Sequence, residues 1–155
     1  PSLKELLETA KRKTSLKLVL ELKAHSKPER EIKAVEEIVS MIKKMGLEPR
    51  MIYITFSSHA LKELIRQAPT STPVYYLKGD LSPQQLKELG SAGPDYHFSE
   101  FYRYTDWIES CHALGLKVNV WTVNKKEDMQ YFWDKVDFIT TDEPLGLLKD
   151  IMKVK

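Results

Sequence analysis

A single cysteine, Cys111, serves the whole 155-residue chain, so no internal disulfide can form, and cysteine usage leaves the compartment open. Long apolar runs are missing too: none approaches the roughly 18 residues of a membrane span. Charge of one sign is not in excess. With 24 basic and 22 acidic residues the formal net charge is +2, which gives no case for nucleic acid or an anionic membrane as the main partner. Several chemical motifs are also absent. There is no G-x-G-x-x-G turn for a dinucleotide, no Walker sequence, no G-x-S-x-G elbow and no H-E-x-x-H pair. No Gly/Ser-rich linker divides the chain, so residues 1–155 are expected to form one domain. The chain opens on Pro1 without an initiator methionine, and its organisation favours a fragment.

What is present is ordinary soluble-globular composition, 42% apolar and 30% charged, with a regular alternation of strand and helix signals. Ser2 and Glu5 have capping-box spacing and open a helix to Lys13. Leu16–Lys23 alternates as a strand. Ser26 with Glu29, and Pro28 in the first turn, predict a second helix that runs to Gly46. Strands follow at Met51–Ser57, Pro73–Gly79, Asp95–Ser99, Leu116–Val123 and Phe138–Asp142. Between them lie helices over Ser58–Gln67, from Ser82 to Gly90, over Thr105–Leu114 and after Asn124, with a last helix from Pro144. After the first interval the strands recur roughly every 21 or 22 residues, the length of one tight β/α unit. The reading is an α/β chain of six β/α units behind one leading helix. A (β/α)₈ TIM barrel needs eight strands and about 250 residues, so the expected fold is an incomplete barrel of about six units whose first part is missing. An open doubly wound sheet also takes six strands, but it usually carries the glycine-rich phosphate turn.

Chemistry in such a fold sits at the carboxyl ends of the strands. There Glu21 and Lys23 share one face of the first strand with Val19. The pair reads either as an ordinary ion pair at a strand end or as a divalent-metal ligand beside an anion-binding lysine. Phe56 ends the second strand and Trp121 shares a face with Asn119 and Val123; each is either a core aromatic or a pocket wall. Asp142 and Asn124 read first as helix N-caps. His25 sits where a loop should begin, His97 could point either way from its strand, and His59 and His112 belong to helices as surface or satisfied polar groups. Cys111 follows Trp107 and Ile108 at helical spacing and reads as packing.

In their order these segments resemble the C-terminal two-thirds of a glycerophosphodiester phosphodiesterase. Pro1-Ser2-Leu3-Lys4-Glu5-Leu6-Leu7 is similar to that family's "PTLEELL" helix, Leu20-Glu21-Leu22-Lys23 to its "IELK" strand, and Thr55-Phe56-Ser57 to its "SSF" strand end. Tyr76–Ser82 and Pro94–His97 resemble a bacterial branch. Val120-Trp121-Thr122-Val123-Asn124 and Asp137–Pro144 resemble the closing signature.

The resemblance implies metal-dependent hydrolysis of a small-molecule glycerophosphodiester to glycerol 3-phosphate and an alcohol. It implies Glu21 as one carboxylate ligand of Ca²⁺ or Mg²⁺, Lys23 on the substrate phosphate, and Phe56 and Trp121 as walls around the glycerol or alcohol part. The family's catalytic histidines ("HRG", "HD") and its "E-x-D" metal pair precede the first residue here, so no catalytic residue is expected in these 155 residues, which are expected to be inactive alone. Lys135 stands where the family more often has glycine. Exposed edges on the strands at 16–23 and 137–142 would favour self-association. The alternatives are a naturally truncated, non-catalytic barrel that binds a phosphate ligand or serves a structural role, and another phosphodiesterase or phospholipase on the same barrel. Relatives occur in the bacterial periplasm, towards which the reading leans slightly, and in the cytosol.

Overall fold

Ser2 starts the first helix in the way its spacing to Glu5 predicts: the Ser2 hydroxyl accepts from the Glu5 N–H at 3.3 Å, and the Glu5 carboxylate accepts from the Ser2 N–H at 2.6 Å. The computed structural model describes residues 1–146 and Lys149. The chain divides into two units, Pro1–Tyr75 and Tyr76–Lys155.

The first unit holds α1 (Leu3–Lys13), β1 (Leu18–Leu22), α2 (Pro28–Met45), a 3₁₀ turn at Glu48–Arg50, β2 (Met51–Thr55), α3 (Ser58–Gln67) and most of β3 (Val74–Tyr76). Strands β1 and β2 pair in parallel, Leu18 opposite Met51 through Leu22 opposite Thr55. On β1 the odd–even alternation sends Leu22 into the core and leaves Val19 59% exposed on the opposite face. Val35 and Ile42, two turns apart on α2, are fully buried together with Leu61 and Leu64 of α3. Each such side chain contributes about 1.5–3 kcal/mol by leaving water. Gly46 ends α2 at φ 66, and Leu47 N–H then closes on Ile42 carbonyl at 3.1 Å, a Schellman-type stop that needs a left-handed residue. The α2 start differs from expectation. Lys27, not Ser26, is the N-cap and makes no side-chain cap bond, so Pro28 at the first helical position and the acidic Glu29 and Glu31 define the start.

The second unit carries α4 (Pro83–Leu89), β4 (Gly93–His97), α5 (Phe98–Arg103), α6 (Trp107–Ala113), β5 (Asn119–Trp121), α7 (Lys126–Phe132) and β6 (Phe138–Ile139). β4 pairs in parallel with β5, and β5 with β6. Its core is aromatic: Tyr96, Phe101 and Phe132 are buried, with Tyr96 stacked on Phe101 at 6.1 Å. Cys111 lies wholly inside, as its spacing to Ile108 suggests. The strand expected over Asp95–Ser99 stops at His97, and the short helix α5 follows. His97 caps that helix through its own ring nitrogen, 3.3 Å from the Ser99 N–H, and Phe98, Phe101 and Tyr102 then fall at helical spacing. The terminal helix expected from Pro144 runs into positions outside the described residues.

Neighbouring strands follow chain order from β1 to β6. This order never reverses, as it must in a doubly wound sheet, and it is the order of (β/α)-barrel strands. The fold class is α/β: six β/α units of an incomplete (β/α)₈ barrel. Strands β1 and β6 stand at the two ends of that order.

Candidate active site

In the first unit, Glu21 and Lys23 leave the end of β1 on one face, and the Lys23 ammonium lies 2.8 Å from Glu21 Oε1. Lys23 is 77% exposed and Glu21 26%. Glu21 Oε1 is shut off from water, and apart from this ion pair it has no hydrogen-bond partner. A buried carboxylate oxygen with one exposed ammonium beside it keeps lone-pair capacity for a further donor. A single carboxylate that already faces an ammonium does not amount to a divalent-cation site, however. Among the described residues no group of three or more His, Cys, Asp and Glu side chains could hold a metal. Glu21 alone leaves most of a hard-cation coordination sphere unfilled among the described residues.

Phe56 follows directly at the end of β2 and is 38% exposed. Its position is set by the residue before it. The Thr55 hydroxyl, fully buried, donates to the Leu22 carbonyl at 2.8 Å and accepts from the Ser57 N–H at 3.1 Å. The ends of β1 and β2 are thus pinned together where Lys23 and Phe56 emerge. The side chain of His25, in the loop after β1, is exposed.

One feature beside this strand end was not anticipated from sequence. Glu31, 3% exposed, accepts from the His25 N–H at 3.0 Å and the Ser57 hydroxyl at 2.9 Å, and its Oε2 lies 2.9 Å from His59 Nδ1. Burial opposes ionisation of Glu31, but the His25, Ser57 and His59 contacts outweigh it and hold the carboxyl below its usual range. The only sequence signal was a glutamate in the first turn of a helix, which reads as a dipole-favoured surface residue.

In the second unit, Trp121 ends β5 and its indole N–H donates to the Asp95 carbonyl at 2.8 Å. The His97 ring meets the Trp121 ring edge-on at 5.1 Å and lies 4.2 Å from Phe98. Asp95 and Asn119 sit opposite each other on β4 and β5, both buried. Asn124 does not cap α7; Lys125 takes that place without a side-chain cap bond. Asn124 instead donates its amide to Asp142 Oδ2 at 2.7 Å and accepts the Asp142 N–H at 2.9 Å, joining the segments after β5 and β6. These two residues thus bond to each other, because two neighbouring parallel strands deliver them side by side. His112 faces Asp137 at 3.1 Å, a satisfied polar position at the amino ends of β5 and β6, opposite their carboxyl ends.

Sequential parallel strands alternating with helices define a (β/α)-barrel scaffold. Residues 1–145 match the glycerophosphoryl diester phosphodiesterase family, and the chain belongs to it. It is 30% identical over 123 residues to a glycerophosphodiester phosphodiesterase of Caldanaerobacter subterraneus subsp. tengcongensis, a match that takes in 76% of this chain and 49% of that protein. A crystal structure of a glycerophosphodiester phosphodiesterase from Parabacteroides distasonis superposes with a TM-score of 0.94 at 42% identity, over 99% of this chain and 65% of that one. An Oleispira antarctica phosphodiesterase, solved in complex with the product sn-glycerol-3-phosphate, shares the fold at a TM-score of 0.77 and 22% identity, over 98% of this chain and 61% of that one. The chain spans about half the length of the curated relative it matches.

Proposed function

We propose that this chain forms part of an enzyme that hydrolyses glycerophosphodiesters to glycerol 3-phosphate and an alcohol. The observation that carries the reading is the Lys23–Glu21 pair at the end of β1, where an exposed ammonium stands beside a buried carboxylate oxygen with no other partner. Lys23 takes the substrate phosphate: a flexible lysine serves as a point charge for a phosphoryl oxygen, and it can leave Glu21 when a stronger anion arrives. Glu21 contributes one oxygen to a divalent cation, Ca²⁺ or Mg²⁺, whose remaining ligands come from outside the described residues. Such an ion, when bound, polarises the phosphoryl group. Phe56, in the same unit as Lys23, offers an apolar face to the carbon part of the ligand. The Oleispira antarctica relative holds sn-glycerol-3-phosphate, which agrees with the product assigned here.

The test is titration of the chain with glycerol 3-phosphate, followed by amide shifts of Lys23 and Phe56 in NMR. The expected result is saturable binding that weakens at least about tenfold in Lys23→Ala, the loss of one charge-assisted contact. An unperturbed Lys23 at millimolar ligand would sink the phosphate assignment. Turnover of glycerophosphocholine is the companion assay. Binding without turnover in every metal-supplemented form that contains these residues would favour the non-catalytic, ligand-binding alternative.

A further inference from the structure

The sequence reading passed over Glu31, and the proposed hydrolysis does not use it chemically, yet it is the most completely engaged carboxylate of the first unit. It is 3% exposed and reaches three groups in two other segments, the loop after β1 and the start of α3. Its Oε1 accepts from the backbone N–H of His25, in the loop that follows Lys23. Its Oε2 accepts from the hydroxyl of Ser57, next to Phe56, and meets Nδ1 of His59 in the first turn of α3. Ser57 in turn caps α3, accepting from the Ala60 N–H at 3.1 Å. A lone cap needs none of this, and a buried carboxylate is costly unless its partners are held in place.

We propose that Glu31 is a positioning residue, a buried clamp that fixes the loop after Lys23 to the turn that carries Phe56. The consequence for function rests on the phosphodiesterase reading: the two side chains assigned to the ligand lie on loops joined through one carboxylate. Glu31 is an acceptor at both oxygens, so His59 must carry its proton on Nδ1, the nitrogen that faces the carboxylate. A residue that merely fills space would leave the tautomer of His59 free.

Glu31→Gln tests this, since it keeps the shape and leaves one oxygen to serve three donors. Amide hydrogen exchange in the 155-residue chain should quicken about tenfold or more at His25 and over Phe56–His59, while Val35, Ile42 and Leu64 stay within about twofold of the wild type. Imidazole ¹⁵N shifts should move His59 from the Nδ1–H form towards the Nε2–H form. If Glu31→Gln does not fold, His59→Leu and His59→Asn decide. Leucine should loosen the same amides, and asparagine, which places a donor where Nδ1 stands, should restore them. Unchanged loop exchange together with an unchanged His59 tautomer overturns the clamp. Glycerol 3-phosphate binding separates the two ideas. If the wild type binds, Glu31→Gln should bind about fivefold more weakly. If the wild type does not bind but the loops still loosen, the clamp stands and the phosphate role of Lys23 falls.

Discussion

Gly93→Ala should be the most damaging single methyl group that can be added to the second unit. Gly93 opens β4 at φ 147, in the range that side-chain-bearing residues rarely adopt. A Cβ built there would stand 1.8 Å from the Lys117 carbonyl oxygen. Ordinary carbon–oxygen contact is about 3.3 Å, so the two strand entries must separate by roughly 1.5 Å. The bond between Lys117 N–H and the Ala92 carbonyl, now 2.9 Å, lies directly in the path of that movement. Strained backbone costs about 1–3 kcal/mol, and a broken, unsatisfied backbone pair adds about as much again. The expected loss is roughly 2–6 kcal/mol, a large part of the stability of a typical domain. Urea unfolding followed by tryptophan fluorescence measures it directly, because Trp107, Trp121 and Trp133 all belong to the second unit. A loss under about 1 kcal/mol at an unchanged m-value would refute the reasoning.

Two further outcomes follow from buried titratable groups. Burial pushes the Cys111 thiol up to about 12, so the native protein should resist a thiol-specific disulfide reagent at pH 8 and react fully once unfolded; stoichiometric labelling of the folded chain would contradict this. Glu31 has its folded carboxyl value below the ordinary 4.5, so its stabilising contribution is complete above pH 4.5 and is lost as pH falls through the folded value. Denaturation midpoints measured from pH 6 down to pH 3 should therefore fall more steeply for the wild type than for Glu31→Gln, and parallel curves would count against the assignment.

The elements that sequence reasoning recovers best are those held by local chemistry. The Ser2–Glu5 box, the helix start at Ser82, Gly46 after α2 and Gly90 after α4 each satisfy backbone groups within one turn. The alternation in β1 was equally visible, and it delivers Glu21 and Lys23 to one face. What escaped depends on partners far apart in sequence. Asn124 has the residue type of a cap and the spacing of one, but the structure joins it to Asp142, 18 positions away. Glu31 has the residue type of a helix-dipole glutamate, but Ser57 and His59 lie 26 and 28 positions beyond it. In both cases a polar side chain at a helix start has two competing uses, one local and one across strands. A parallel β/α arrangement favours the second, because every strand end in it lies beside the next. The same geometry that brings Glu21 and Lys23 to a strand end also gathers the polar groups that brace it: Glu31 ties the loop after β1 to Ser57, and Asn124 ties the segment after β5 to Asp142.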